Sequence, residues 1–260
     1  MLAEERRNRL IELVRHKGFA SLPELVETLA VSESTIRRDL DYLEEVGEAK
    51  RTHGGVFYAG GRPRLPHFEE RQPAQWEYKR SIARLAATLI EDGDTVLLDG
   101  GTTTYELAQL LVGRPLQVVT NSLPVANLFA SDASTDLVFV GGYIYPRTGV
   151  ALGPYADQLL GQLSVRRTVL SVAGITEQGY YNSNLLLVET ERAMMSAADE
   201  VIVVADSTKF GRRSLAHLCP LGDVQRLVVD HEIQAPWRTT LTAAGVELLI
   251  APPGGDDATT

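Results

Sequence analysis

Residues 32–56, SESTIRRDLDYLEEVGEAKRTHGGV, decide how the first part of this chain folds. Ser32 is placed to cap a helix, because its hydroxyl can accept the free backbone N–H of Ser34 or Thr35. Ile36, Leu40 and Leu43 recur at i, i+4 and i+7, which makes one apolar stripe. At about 100° per residue, Ser34, Arg37 and Arg38 lie away from that stripe, with Thr35 at its flank. Asp41, Glu44 and Glu45 share the outer side but come one to two turns later. A helix that is basic at its start and acidic at its end suits entry into a duplex DNA groove by its N-terminal half. Phosphates favour that end, where unpaired N–H groups and the macrodipole point.

Two shorter helices precede it. Residues 3–16 carry Leu10, Ile11, Leu13 and Val14 on one side and stop near Gly18. Ser21 and Glu24 form a Ser-x-x-Glu capping box ahead of Leu25, Val26 and Leu29. The turn Ala30-Val31-Ser32 then gives helix-turn-helix spacing. After Gly47, residues Glu48 to Tyr58 alternate loosely around Gly54-Gly55, which predicts a hairpin wing. The expected DNA contacts are Ser32, Ser34, Thr35, Arg37 and Arg38 on the helix, with Lys50, Arg51 and His53 on the wing as phosphate or minor-groove contacts.

Charge is unevenly spread. Residues 1–64 hold 11 Lys/Arg and 11 Asp/Glu, whereas the remainder holds 14 and 23 and so carries the whole formal charge of −9. An acidic body disfavours adventitious nucleic-acid binding and confines DNA contact to a local basic face. Cys219 is the only cysteine, which excludes an internal disulfide or a cysteine-cluster zinc site and fits a reducing cytoplasm. His16, His53, His67, His217 and His231 show no ligand spacing, so no metal is expected. The N-terminus has no signal-peptide pattern and no apolar run long enough to span a bilayer. A cytoplasmic protein with no membrane partner is expected.

The chain divides on this reading into a DNA-binding domain over 1–57, a connector over 58–77, a larger domain over 78–252 and a tail over 253–260. Gly60, Gly61, Pro63, Pro66 and Pro73 punctuate the connector. Helical periodicity resumes from Tyr78 to Ile90 and stops at Gly93. Apolar runs follow at 95–98, 117–120, 137–140, 168–172, 201–205, 226–229 and 246–250, with helical stretches at 104–111, 124–129, 154–163 and 189–198. Continuous Val/Ile/Leu runs imply strands buried on both faces. The expected fold is α/β: an N-terminal winged helix-turn-helix followed by a Rossmann-like, mostly parallel α/β domain.

In such sheets ligands bind beyond the carboxyl ends of the strands. There the sequence places Asp99-Gly100-Gly101-Thr102-Thr103-Thr104 before a helix, Asn121 in Thr120-Asn121-Ser122, Gly141-Gly142, and Asp206-Ser207-Thr208-Lys209. Glycines and hydroxyls at a helix start form a cradle for an anion. Lys209 could neutralise a phosphate, and Asp206 could hold sugar hydroxyls or orient the lysine. Neither a Walker loop nor G-x-G-x-x-G is present, and no resident cofactor is expected. Four polar strand ends of this kind point to a polyhydroxylated anion such as a sugar phosphate.

With these residues in view, the chain resembles the DeoR family of bacterial transcriptional regulators. The resemblance runs through Ser34-Thr35-Ile36-Arg37-Arg38-Asp39-Leu40, Arg51-Thr52-His53-Gly54-Gly55, the connector positions Phe68, Glu70, Arg71 and Lys79, and the strand-end motifs up to Asp206-Ser207-Thr208-Lys209-Phe210-Gly211. It implies a repressor of a carbohydrate-use operon, released from DNA by a phosphorylated intermediate. It also implies a C-terminal domain similar in fold to ribose-5-phosphate isomerase that binds without turnover, and a homo-oligomer, dimer or tetramer. The implied effector set is Asp99, Gly100, Gly101, Thr102, Thr103, Thr104, Asn121, Gly141, Gly142, Gly174, Asp206 and Lys209. Family members often carry a lysine where this chain has Glu191, and many show an aromatic within the strand that here reads Leu170-Ser171-Val172-Ala173-Gly174. The alternative is a phosphosugar isomerase or transferase with an appended N-terminal module, using Asp99, Asp206, Glu189 and Lys209 as acids and bases.

Overall fold

Ser21 shows how local signals set the first elements: its hydroxyl accepts the Glu24 N–H while the Glu24 carboxylate accepts the Ser21 N–H, each at 3.4 Å. The structure, a computed structural model, describes residues 3–17, 19–45, 49–52, 55–58 and 68–253. The chain forms two compact units, Met1–Arg64 and Leu65–Thr260.

In the first unit, α1 (Ala3–Lys17), β1 (Phe19–Ser21), α2 (Leu22–Leu29), α3 (Glu33–Glu45), β2 (Ala49–Thr52) and β3 (Gly55–Tyr58) follow in order. The strands make an antiparallel sheet in the order β1-β3-β2. Ala30, in the left-handed region at φ 52°, turns the chain between α2 and α3. Ser32 caps α3, its hydroxyl accepting the Thr35 N–H at 3.3 Å. Ile36, Leu40 and Leu43 are buried with Leu10, Val14, Leu25, Leu29 and Val56, so the predicted stripe is the core of this unit. Asp39 lies one residue off the stripe and is also buried, bound by Arg6 at 2.5 Å and Arg7 at 3.1 Å from α1. That ion pair ties the helices together and was not legible from periodicity.

The second unit opens with α4 (Phe68–Arg71) and α5 (Trp76–Ala87). Phe68 is buried edge-on to Tyr105, with ring centroids 5.4 Å apart, so the last part of the expected connector packs within this unit. Then come β4 (Thr95–Leu98), α6 (Thr102–Leu111), β5 (Gln117–Thr120), α7 (Leu123–Phe129), β6 (Asp136–Phe139), β7 (Tyr143–Tyr145), β8 (Val150–Leu152) and α8 (Pro154–Leu160). The chain continues through β9 (Val165–Ser171), β10 (Gly174–Thr176), β11 (Gly179–Asn182), α9 (Leu185–Ser196), β12 (Ala198–Val204), β13 (Ala216–Cys219), β14 (Arg226–Asp230), α10 (Ala235–Ala243) and β15 (Glu247–Ala251).

The seven predicted apolar runs form one seven-stranded sheet, ordered β15-β14-β12-β9-β4-β5-β6. Every pairing in it is parallel. Successive residues of β4 explain the unbroken runs: Val96 and Leu98 pack with α5, α6 and α7 on one face, and Leu97 packs with α8 and α9 on the other. Order reverses between β4 and β9, which places a crevice at their carboxyl ends. Short antiparallel additions, β7-β8 and β10-β11-β13, were not expected, because three or four residues are too few to show a strand period. Among the described residues no helix is long and apolar enough to cross a membrane.

The amino ends of the same strands carry an ion network. Asp94 is buried and accepts hydrogen bonds from Arg166 at 2.6 Å and from Arg167, while Arg167 also reaches Glu200 at 2.8 Å. Removing Asp94 takes one of two close carboxylates from the buried Arg167, so Asp94→Ala should lower unfolding free energy by about 1–3 kcal/mol in chemical denaturation. Asp92→Ala, at an exposed pair with Arg114, should cost less than about 1 kcal/mol.

Candidate functional site

Thr102 and Thr103 stand in the first turn of α6, whose N-cap is Gly101, and so sit where free N–H groups emerge beyond β4. Across the strand-order reversal, Ser171, Val172 and Ala173 leave β9, and Val204 to Asp206 with Lys209 leave β12. These residues, with Asn182 of β11, line an open cavity of about 120 Å³. Its remaining wall is Arg71 of α4, Ala74 and Gln75 of the turn that follows, and Lys79 of α5.

Lys79 is 4 % exposed and donates to the carbonyls of Arg71 and Ala74. Burial pulls its pKa down to about 8, with Asp206 acting in the opposite sense and the nearby Lys209 and Arg71 charges lowering it further. Lys209 is partly exposed, with its ammonium 3.7 Å from the buried Asp206 carboxylate. Asp206 also accepts the Thr208 N–H at 3.1 Å and the Thr208 hydroxyl, so it braces the turn that carries Lys209.

Behind this wall lie two buried carboxyls. Asp99 accepts the Ser171 N–H at 3.3 Å and its hydroxyl at 3.1 Å. Burial raises its pKa against those hydrogen bonds. Glu191 is fully buried; one oxygen accepts Asn182 Nδ2 at 2.6 Å and the other has no partner among the described residues. Burial, then the neighbouring Asp99, push it well above the usual carboxylate range.

Of the twelve residues named from the sequence, Thr102, Thr103, Asp206 and Lys209 line the cavity directly. Asp99 lies behind Ser171. Gly100 and Gly101 are buried where a Cβ would overlap Val150 and Ser171 respectively, so packing against β8 and β9 already requires glycine there. Thr104 is fully buried, its hydroxyl without a partner among the described residues. Asn121 donates to the Ala151 carbonyl at 3.0 Å and joins β5 to β8. Gly142 is pressed on the Leu152 carbonyl, Gly174 on that of Arg212, and Gly141 is open. Glu189 of the alternative enzymatic reading is exposed on α9 and does not line the cavity.

Arg71, Lys79, Ser171 and Asn182 were not read from residue patterns as pocket residues. The signal for Lys79 was available: it occupies the inward face of α5 with Ile82, Ala83 and Ala86. A lysine at such a position needs a buried purpose. Among the described residues no group of three or more His, Cys, Asp or Glu is placed to hold a metal ion.

On the first unit, Ser34, Arg37 and Arg38 are exposed along one side of α3, with Ser32 exposed at its cap and Thr35 half-buried. Lys50 and Arg51 lie in β2, paired with Phe57 and Val56; their side chains, and His53 altogether, fall outside the described residues.

Comparison with known proteins covers both units. Residues 6–60 match the DeoR-like helix-turn-helix domain, and residues 74–231 match the DeoR C-terminal sensor domain. The HTH-type transcriptional regulator YulB of Bacillus subtilis is 32% identical over 88% of this chain and 90% of its own length. The glycerol-3-phosphate regulon repressor of Escherichia coli K12 is 33% identical over 88% of this chain and 92% of its own. Ribose 5-phosphate isomerase A of Methanocaldococcus jannaschii overlaps 51% of this chain and 53% of its own at 16% identity and TM-score 0.36, too slight to argue from.

The two kinds of glycine are separable by experiment. Gly101→Ala should destabilise the second unit by about 1–3 kcal/mol, because the new methyl overlaps Ser171. Gly141→Ala, with nothing within 4 Å of its Cβ, should leave the denaturation midpoint nearly unchanged.

Proposed function

The chain belongs to the DeoR family of transcriptional regulators, and we propose on that premise that it represses a carbohydrate-catabolic operon and leaves DNA when a phosphorylated sugar fills the cavity between β4 and β9. One observation carries the effector half: two lysines, Lys79 and Lys209, share a cavity with two threonines at the N-terminus of α6. Ammonium groups, hydroxyls and a positive helix end together suit a phosphate, and Asn182 and Ser171 supply hydrogen bonds for sugar hydroxyls. A relative named for the glycerol-3-phosphate regulon fits the same chemistry.

Binding without turnover is supported by how the acids are engaged. Asp99 and Asp206 are tied into hydrogen bonds of the strand ends. For DNA, the exposed side of α3 offers Arg37 and Arg38 to the major groove, with Lys50, Arg51 and His53 on the wing for phosphates. Helix-turn-helix geometry reads paired half-sites, so the working form is a dimer or tetramer. For the effector to release DNA, it must bind the DNA-free state more tightly than the DNA-bound one.

The test is fluorescence anisotropy on DNA from upstream of the chain's own gene, titrated with a panel of sugar phosphates. Tight binding reversed by one compound is the expected result, and DNA binding that no compound reverses would overturn the effector half. Lys209→Ala should bind DNA normally and need about tenfold or more of the releasing compound, the worth of one hydrogen bond to a charged group. Normal release of that variant would remove Lys209 from the pocket. Acidity gives a second test. Anion binding favours the Lys79 ammonium, so effector affinity should hold below about pH 8 and fall as pH rises above it. Calorimetry near pH 8, in buffers of differing ionisation enthalpy, should then show proton uptake on binding.

A further inference from the structure

Glu33 puts an exposed carboxylate at the start of the helix assigned to the DNA groove, in contact with an arginine assigned to reading it. Arg37 Nε donates to Glu33 Oε1 at 3.0 Å, and Arg37 Nη2 donates to the same oxygen at 2.6 Å. The residues are one turn apart with the acid first, the favoured order for such a pair on a helix. Both side chains stay about half exposed, so the pair faces whatever the helix meets. For phosphate attraction alone this carboxylate is counterproductive, because it repels every duplex alike.

The geometry suggests its use. A guanidinium carries five N–H donors in a planar fork. Glu33 takes the edge formed by Nε and Nη2, which leaves the edge formed by Nη1 and Nη2 outward. That outward edge can donate two parallel hydrogen bonds, the pattern that recognises O6 and N7 of guanine. An arginine already held in place loses less side-chain freedom on docking.

We propose that Glu33 is a positioning residue that holds Arg37 to read a guanine, raising sequence discrimination while lowering affinity for unrelated DNA. The role rests on the reading of α3 as the recognition helix. It is separable from folding, because the helix start is capped without the Glu33 side chain. The Ser32 hydroxyl takes the Thr35 N–H, and its carbonyl takes the Thr35 and Ile36 N–H groups at 3.0 and 3.1 Å.

The experiment is selection from a randomised duplex library by the full chain, followed by sequencing, for wild type, Glu33→Ala, Glu33→Gln, Arg37→Ala and the Glu33→Ala/Arg37→Ala double variant. Affinity for one unrelated duplex is measured alongside by anisotropy. Glu33→Ala should lose about tenfold discrimination at the base step that Arg37→Ala also loses, and should bind the unrelated duplex more tightly. Glu33→Gln keeps an acceptor oxygen and should retain part of the discrimination. In the double variant, loss of Glu33 should change nothing further at that step. An unchanged motif in Glu33→Ala would overturn the proposal. Loss at a step that Arg37→Ala leaves intact would also overturn it, making Glu33 itself the base-reading group. If wild type enriches no motif, the DNA-reading function falls first and this role with it.

Discussion

The closure of the β4–α6 loop over the end of β9 is the contact on which the sensor half depends. Gly101 lies so close to Ser171 that any side chain would overlap it, and Asp99 holds the Ser171 hydroxyl and N–H from below. Because the strand order reverses there, the helices that follow β4 and β9 diverge to opposite faces of the sheet and leave a crevice open. The N-terminus of α6, the end of β9 and the turn after β12 are thereby brought within reach of one small molecule.

A parallel sheet has two chemically distinct ends, and this one uses them differently. At the amino ends, Asp94, Arg166, Arg167, Glu200, Arg226 and Glu247 link neighbouring strands in a chain of ion pairs. At the carboxyl ends, charge is held with less compensation. Burial lowers the pKa of Lys79 and raises those of Glu191 and Asp99. A Lys79 ammonium held this way gains by meeting an anion, whereas the amino-end network is already paired. Glu191 accepts from Asn182, which presents a hydrogen-bonding wall to the pocket.

Much of this was readable beforehand because two signals are local. The seven apolar runs became the seven sheet strands, since a strand buried on both faces has to be apolar throughout. The Ser21 and Ser32 caps and the Ile36-Leu40-Leu43 stripe needed only neighbours within a turn or two. Of the small antiparallel strands, β13 escaped because its partner is far away in sequence, Tyr180 opposing Cys219. The hairpins β7-β8 and β10-β11, where Tyr143 opposes Leu152 and Ile175 opposes Tyr180, escaped because three or four residues are too few to show a period. The purpose of a glycine is hidden for a related reason. A glycine that admits a ligand and one that admits another strand look the same in sequence, and Gly100, Gly142 and Gly174 make room for packing.

The amino-acid sequence alone determined the class of fold, the helix α3 with its outward-facing arginines, and which strand ends would be polar, because periodicity and capping act between residues a few positions apart. Only the tertiary structure decided which of those polar groups face one cavity. It drew Lys79 in from α5, set Glu191 behind Asn182, and turned Asn121 and Gly142 to structural purposes. Those outcomes depend on burial and on distances between strands that are remote in sequence, and burial is what sets the charge of each carboxyl and ammonium there.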